Sequence, residues 1–180
     1  HGPGGINAAL RAGVDSIEHG SYLDDESIRL FLETGAFLVP TLLAGAAVTE
    51  KAEVPGYYVP AVADKARGIA PKMIDATRRA HQAGVKIAFG TDNGVGEHGT
   101  NAKEFALMVE AGMTPAEALR AATVDAAELM GLSDTIGTIT AGKSADIIAV
   151  DGDPLADVTV LETVPFVMAR GRVFDTGAVE

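Results

Sequence analysis

Two segments of the sequence place a side chain that can bind a metal ion directly after a predicted β-strand. They are residues 16–20 (SIEHG) and residues 89–94 (FGTDNG). A neutral imidazole is a common metal ligand. A carboxylate can bind a divalent cation and also accept a proton from a water molecule whose pKa the metal lowers. We therefore identify His19 and Asp92 as candidate metal ligands and Asp92 as a candidate catalytic base. The alternatives are a histidine hydrogen-bonded to a carbonyl group and an Asx-turn aspartate.

Three further polar side chains lie close to these two in the sequence. Tyr22 follows His19 by three positions and could donate its hydroxyl to a carbonyl oxygen that develops negative charge. His98 and Asn101 lie in the loop just after Asp92 and are candidate substrate-binding residues. The alternatives are a half-buried loop tyrosine and a solvated loop histidine.

The positions of these residues depend on a repeated helix-to-strand pattern. Three times an amphipathic helix ends at glycine and an apolar strand follows at once, over residues 14–17, 36–39 and 85–89. Glycine ends helices because it adopts a positive φ without a Cβ clash. The pattern predicts an α/β fold with parallel strands, either a barrel or an open sheet. In a barrel the carboxyl ends of the strands carry the active site, which would bring His19 and Asp92 to one mouth.

A long connection separates the second and third predicted strands. It contains three prolines (Pro40, Pro55 and Pro60) and a helix predicted over residues 62–83. Connections of this length are uncommon in a compact unit, and they more often form lids or binding loops. We therefore expect part of this segment to cover the site.

The character of the sequence changes near residue 132. Short strand-like runs at residues 135–139, 146–150 and 164–173 are separated by Gly, Asp and Pro turns. We place a domain boundary here, between residues 1–131 and 132–180. A few isolated strands are marginally stable in water, so we expect the tail to pair with strands supplied from elsewhere.

The composition limits the classes of function. Of the 180 residues, 47% are hydrophobic, which is enough to bury a core. The net charge of -11 argues against nucleic acid or an anionic membrane as a partner and favours a small-molecule substrate. The chain has no cysteine, so a metal must be held by His, Asp, Glu or a modified Lys.

The ends of the chain and its apolar runs bear on localisation. No apolar run approaches the length of a membrane span, and no signal segment precedes the first residue. The first five residues (HGPGG) are typical of a loop that enters a helix, so we expect the true N-terminus to lie upstream. The compartment stays open, with the cytoplasm favoured.

Taken together, several motifs in order along the chain resemble the amidohydrolase superfamily. They are residues 16–20 (SIEHG), residues 89–92 (FGTD), His98-Gly99 with Asn101 and Glu104, and residues 142–150 (GKSADIIAV). The branch they most resemble is the imidazolonepropionase-like enzymes, which include Xaa-Pro dipeptidases. Each motif is weak alone, but the ordered set is specific and covers essentially the whole chain.

The resemblance implies a fold and a partial metal site. Residues 1–131 would be strands 6–8 of a (β/α)8 barrel of TIM type, and residues 132–180 would belong to a small β-sandwich completed by N-terminal strands. His19 matches the family's sixth-strand histidine ligand and Asp92 its eighth-strand aspartate. His1-Gly2 resembles the end of the His-Ala-His-Gly motif that follows the fifth strand in the family. His1 is therefore a candidate substrate-binding residue. The family's first-strand histidine pair and fourth-strand lysine have no counterpart here.

The resemblance also implies an activity. It indicates a metal-dependent hydrolase of amide or peptide C–N bonds, most similar to dipeptidases, with water as the nucleophile. The expected cofactor is one or two divalent ions, zinc first, with manganese or iron as alternatives. The expected partners are a small peptide or amide substrate, the N-terminal barrel half in cis or in trans, and further copies in a homo-oligomer. The alternatives are a non-catalytic fragment or assembly module, and a deaminase or lactam or imidazolone hydrolase on the same scaffold.

Overall fold

The computed structural model describes residues 1–177 of the chain, which form two three-stranded sheets with helices around the first. The first part contains α1 (Pro3–Arg11), β1 (Ser16–Glu18), α2 (Asp25–Thr34), β2 (Phe37–Val39), α3 (Leu42–Ala52), α4 (Pro60–Ala66), α5 (Ile69–Ala83), β3 (Lys86–Ile87), α6 (Lys103–Glu110), α7 (Pro115–Arg120), a π-helical turn (Ala121–Asp125) and α8 (Ala126–Leu129). The second part contains β4 (Ile147–Ala149), a 3-10 helix (Val158–Glu162), β5 (Phe166–Ala169) and β6 (Arg172–Phe174). The predicted α/β alternation is confirmed in the first part.

The first sheet is parallel and its strands follow chain order. Ile17 of β1 pairs with Leu38 of β2, and Leu38 pairs with Ile87 of β3. Leu38 is fully buried in a core that includes Leu10 of α1 and Met73 of α5. Because the strands are parallel, their carboxyl ends meet at one edge of the sheet.

The glycines that end the helices act as the sequence predicts, and a capping box begins α7. Gly35 ends α2 with φ 72° and Gly84 ends α5 with φ 85°, both in the left-handed region. Thr114 and Glu117 form a reciprocal capping box at the start of α7. These contacts satisfy backbone groups that a helix end would otherwise leave unpaired.

The connection between β2 and β3 differs from the prediction. It is mostly helical, since α3 begins three residues after β2 ends, and the helix predicted over 62–83 is two helices, α4 and α5. Gly68 lies at the break with φ -97° and ψ 3°, outside helical geometry. Glycine is a poor helix former, which accounts for the interruption.

The run at residues 135–139 is not a strand, contrary to prediction. The Thr135 carbonyl accepts a hydrogen bond from the Ser144 amide (2.8 Å), and Lys143 Nζ donates to the Ser133 and Ile136 carbonyls. These bonds close a local loop in which the backbone groups of Thr135 and Ile136 are occupied within the segment.

The predicted strand over residues 164–173 is a hairpin. β5 and β6 are antiparallel and are joined at Arg170 and Gly171, whose φ angles are 52° and 76°. Two successive positive φ angles are typical of the tight turn that matches strand twist. With β4 they form the second sheet, in which Ile148 pairs with Val167.

The 3-10 helix buries Val158 and Leu161 and packs on α6, which links the second part to the first. Among the helices of residues 1–177, none has the length and apolar character that a bilayer crossing requires.

Candidate active site

A cavity opens at the carboxyl edge of the parallel sheet. Its volume is about 420 Å³, and its polar lining includes His1, His19, Tyr22 and Asp92. The remaining wall is largely apolar and comes from α3, α4 and α5, with the side chains of Ala44, Val48, Val62, Ala66, Ile69 and Met73. Two histidines, a phenol and a carboxylate therefore face one space beside an apolar surface.

His19 is the first residue after β1 and adopts φ 68°, which is unusual for a residue other than glycine. Its amide donates to the Val39 carbonyl of β2 (2.9 Å), so the backbone is held to the sheet. Its Nδ1 lies 2.6 Å from the hydroxyl of Thr41. One hydrogen bond thus holds the backbone of His19 and another holds its ring at the rim of the cavity.

The hydrogen bonds of Thr41 indicate which nitrogen of His19 carries the proton. The Thr41 hydroxyl has a single proton, which it donates to the Pro40 carbonyl (2.8 Å). We infer that the hydroxyl accepts from His19 and that Nδ1 is the protonated nitrogen. In the neutral ring this leaves the Nε2 lone pair available to a ligand.

His1 stacks on His19, with the ring centroids 4.6 Å apart and the planes 11° from parallel. Its Nδ1 lies 2.8 Å from the hydroxyl of Ser21, which is buried, and its carbonyl accepts from the Tyr22 amide (3.0 Å). The two imidazoles therefore form one layer at the cavity rim, and each is oriented by a hydroxyl.

Asp92 lies in the segment after β3 and is also left-handed, with φ 48°. Within residues 1–177 its carboxylate accepts no hydrogen bond, so the turn is not held by an Asx bond from Asp92. The neighbouring Asn93 holds it instead, because its buried side chain donates to the Glu97 carbonyl (2.6 Å) and to the Thr100 hydroxyl (3.0 Å). The carboxylate of Asp92 is free to face the cavity.

Tyr22 lines the cavity while 42% of its surface stays exposed. Lys72 Nζ lies 5.1 Å from the centre of its ring, within cation–π range. A nearby cation on this aromatic face helps to fix the ring, and no hydrogen bond within residues 1–177 engages the hydroxyl.

His98 and Asn101 are not brought to this cavity. Both are exposed in the loop that precedes α6, and the Asn101 amide donates to the hydroxyl of Thr91 (3.0 Å). Asn101 therefore contacts the residue before Asp92 rather than the cavity. A direct substrate contact by either side chain stays a prediction.

The donor chemistry of the cavity suits a divalent metal ion, but the number of donors is small. Imidazole nitrogen and carboxylate oxygen are ligands that zinc accepts, and His19 and Asp92 both offer free lone pairs. Among residues 1–177 no cluster of three or more His, Cys, Asp or Glu side chains is placed to hold a metal. The residues present therefore fit part of a coordination sphere.

Glu104 belongs to one of the sequence motifs, but the sequence predicts no role for it. It is fully buried, and its two oxygens accept from the amides of Leu42 (2.9 Å) and Leu43 (2.7 Å) at the start of α3. Burial raises the pKa of Glu104 to about 7, although the two N–H bonds act in the opposite direction. In the sequence, Glu104 is the one charged residue in an otherwise apolar stretch, residues 104–109 (EFALMV), and this pattern could have indicated that it is buried.

Comparison with known protein families gives a match along almost the full chain. The model of the family described as "Amidohydrolase family" matches residues 1–174. Ochratoxinase of Aspergillus niger is 36% identical over 179 residues, which is 97% of this chain and 36% of that protein. Imidazolonepropionase of Sphingopyxis alaskensis is 36% identical over 154 residues, which is 83% of this chain and 33% of that protein.

Comparison with solved structures agrees. The crystal structure of a Xaa-Pro dipeptidase with methionine bound in its active site superimposes with a TM-score of 0.94 and is 46% identical. The match covers 97% of this chain and 43% of that one. The chain thus spans less than half the length of the relatives that it matches.

Proposed function

The chain belongs to the amidohydrolase family, and we propose that the protein which contains it hydrolyses the C–N bond of a small amide or peptide, as a dipeptidase does. One observation carries the proposal: His19 and Asp92, each on a left-handed turn beyond a parallel strand, line a single cavity. Unusual backbone at ligand-facing side chains is typical of functional sites.

The proposal includes an architecture. Residues 1–131 contribute strands 6–8 of a (β/α)8 barrel, and residues 132–180 contribute strands to a small β-sandwich. The missing barrel strands come from an N-terminal half in cis or in trans, and the complete protein forms a homo-oligomer. The chain covers 30–44% of the length of its relatives, which supports an N-terminal half in the complete protein.

His19, through Nε2, and Asp92, through its carboxylate, would hold a divalent cation, with zinc first and manganese or iron as alternatives. Such a cation polarises the scissile carbonyl and lowers the pKa of a water molecule at the site. Further ligands, and a second ion if one is present, would come from the N-terminal half. The stacked ring of His1 limits the movement of His19 and faces the substrate.

The other side chains act on the substrate and its protons. Asp92 accepts a proton from the attacking water and passes it to the leaving nitrogen. The Tyr22 hydroxyl donates a hydrogen bond to the carbonyl oxygen as negative charge develops on it. The apolar wall from α3, α4 and α5 binds an apolar substituent and excludes water from one side.

The apolar wall also supports the choice of substrate class. A Xaa-Pro dipeptidase relative holds methionine in its active site, and methionine is an apolar amino acid of a size that a cavity of about 420 Å³ accommodates. We propose a dipeptide or N-acyl amino acid with an apolar residue beside the scissile bond. The similarity to an imidazolonepropionase keeps a cyclic amide as the second candidate.

Substitution of Asp92 tests the proposal. In the protein extended to include the residues encoded upstream of His1, Asp92→Asn should lower kcat about 10²–10⁴-fold, because asparagine cannot accept the proton. Steady-state hydrolysis of a dipeptide panel gives the measurement. Asp134→Asn, in an exposed turn away from the cavity, is the matched control and should leave kcat unchanged.

The competing function is a non-catalytic assembly module, which the small number of metal donors favours. Metal analysis and the same dipeptide panel separate the two functions. An extended protein that retains neither zinc, manganese nor iron and cleaves no peptide would support the module and contradict the hydrolase. Turnover by the Asp92→Asn variant at the wild-type rate would remove the proposed role of Asp92.

A further inference from the structure

The first turn of α3 lacks the cap that its own N-cap residue would normally provide. Thr41 is the N-cap, and threonine at this position usually accepts from a backbone amide of the first turn. Thr41 makes no such bond, and its backbone is left-handed (φ 50°, ψ 46°) instead of extended. Its hydroxyl lies between Pro40 and His19.

Glu104 supplies the missing cap from another helix. It lies at the start of α6, and its carboxylate accepts from both Leu42 (2.9 Å) and Leu43 (2.7 Å), the first two residues of α3. The positive end of the helix dipole favours a carboxylate at this place. Among the described residues no cation forms an ion pair with Glu104.

A buried carboxylate is a costly way to cap a helix. Removing a carboxylate from water is strongly unfavourable unless other groups replace its hydration, and Glu104 is fully buried. A threonine in the extended conformation usual at an N-cap could have capped the helix from its own chain, at lower cost. Capping by Glu104 is explained if the Thr41 hydroxyl is needed for another contact. Besides the Pro40 carbonyl, that hydroxyl contacts the Nδ1 atom of His19.

We propose that Glu104 is a positioning residue for His19. By capping α3 in place of Thr41, Glu104 leaves the Thr41 hydroxyl free to accept from the Nδ1–H group of His19. We call these two contacts, Glu104 with the α3 amides and Thr41 with His19, the relay. The relay holds His19 in the tautomer whose Nε2 lone pair is available at the cavity. The inference rests on the proposed function for one point, that this lone pair binds a metal ion.

A purely structural role for Glu104 makes a different prediction. If Glu104 only stabilises α3, its loss lowers the melting temperature and leaves the tautomer of His19 unchanged. If the relay operates, loss of Glu104 lets the Thr41 backbone relax to the extended N-cap conformation, in which its hydroxyl accepts from the free amides of α3. His19 then loses its acceptor and moves towards the Nε2–H tautomer, which histidine favours in water.

Nitrogen NMR of the metal-free chain distinguishes these outcomes. The chain is labelled with ¹⁵N-histidine and measured at pH 8, where the Glu104 carboxylate is mostly ionised. The His19 signals are assigned as those missing in His19→Gln, since the chain has 4 histidines. We expect wild type to show predominantly Nδ1–H at His19 and Glu104→Gln to show mainly Nε2–H, because glutamine places an NH2 donor where the second carboxylate oxygen accepts from an amide.

A second helix cap provides the matched control. Glu117 belongs to the capping box of α7, so Glu117→Gln also weakens a helix start. This variant should lower the melting temperature and leave the His19 signals as in wild type. A lowered melting temperature with unchanged His19 signals in Glu104→Gln would overturn the proposal.

Substitution at Thr41 keeps the proposal testable if Glu104→Gln does not fold. Thr41→Val removes the hydroxyl and should shift His19 to Nε2–H, whereas Thr41→Ser retains the hydroxyl and should preserve Nδ1–H. A wild-type spectrum for Thr41→Val would refute the relay. In the extended protein, Glu104→Gln should also raise the Kd for zinc about 10–100-fold, as loss of a group that orients a ligand typically does.

The tautomer measurement uses neither metal nor substrate, so its result is separate from that of the proposed function. A protein that binds no metal can still show the relay, and an active hydrolase can lack it.

Discussion

At the scale of single residues, the site is built from backbone conformations that are rare for the residues that adopt them. His19, Thr41 and Asp92 have φ of 68°, 50° and 48°, and each follows a different strand of the parallel sheet. Such conformations cost on the order of 1 kcal/mol or more each, so surrounding contacts must impose them. The bonds of His19 to Val39 and Thr41, and the loop held by Asn93, are those contacts.

Glu104 should make the stability of the chain depend on pH. Its pKa is raised in the folded state from 4.5 to about 7, so the folded chain binds this proton more tightly than the unfolded chain. The resulting stabilisation is fully present below about pH 4.5 and is lost as the pH rises through about 7. Relative to Glu104→Gln, wild type should gain stability on the order of 3 kcal/mol at most between pH 8 and pH 5.

Urea unfolding of both proteins at the two pH values measures this difference, and the contributions of the other titrating groups cancel between wild type and variant. An equal difference at pH 5 and pH 8 would mean that the Glu104 pKa is not raised in the folded chain.

At the scale of elements, the strand ends are packed too closely to admit an added methyl group. Gly20 follows His19 with φ 58°, and a Cβ atom there would lie 2.6 Å from Leu38 Cδ1 in the central strand. Leu38 is fully buried, so it has little room to move. The end of β1 is thereby fixed against β2, together with the histidine that it carries.

Gly20→Ala should therefore destabilise the chain by more than the backbone strain alone. Gly13→Ala is the matched control, because Gly13 also has a positive φ (82°) but open space around its Cβ position. The control should cost about 1–2 kcal/mol from the left-handed backbone. Gly20→Ala should cost about 1–3 kcal/mol more from overpacking. Equal losses in urea unfolding would show that the contact with Leu38 relaxes.

At the scale of the whole molecule, the parallel sheet has a free edge within residues 1–177. The order of the strands is β1-β2-β3, so β1 pairs on one side with β2. The Phe37 amide donates to the Asp15 carbonyl, and the His19 amide donates to the Val39 carbonyl. Because the bonds of a parallel strand alternate between its two sides, the amides of Ser16 and Glu18 point away from β2.

These two amides should report the proposed N-terminal half. When the residues encoded upstream of His1 are supplied in cis or in trans, hydrogen exchange at Ser16 and Glu18 should slow at least about tenfold as a neighbouring strand pairs with β1. The Phe37 amide, which already donates across the sheet (2.9 Å), is the internal control and should change little. Unchanged exchange at Ser16 and Glu18 would contradict the closed ring of strands.

Features that depend on residues only a few positions apart could be predicted from the sequence. The glycines that end α2 and α5, the capping box at Thr114 and the alternation of helix and strand depend on neighbours within a few positions. The same holds for the residue types after the strands, since a strand followed at once by His19 is visible in the sequence itself. Local patterns of this kind are set by backbone sterics and by the period of burial.

The two wrong strand predictions have the same cause, because a strand depends on a partner that is distant in the sequence. Residues 135–139 have strand-like composition, but the Thr135 carbonyl bonds to Ser144 in a local loop and the run pairs with no strand in residues 1–177. The run over 164–173 contains a turn at Arg170 and Gly171 that an apolar pattern alone does not reveal. Strand formation depends on a partner, which composition does not specify.

The sequence by itself determined the family resemblance, the α/β alternation and the candidates His19 and Asp92. The tertiary structure decided which side chains meet: His1 stacks on His19, Asn101 contacts Thr91 instead of the cavity, and Glu104 caps a helix that begins 62 positions earlier. The physical reason is the range of the interactions. Helix and strand preferences act between neighbours in the chain, whereas a hydrogen bond between distant residues exists only after packing has brought both of them to one place.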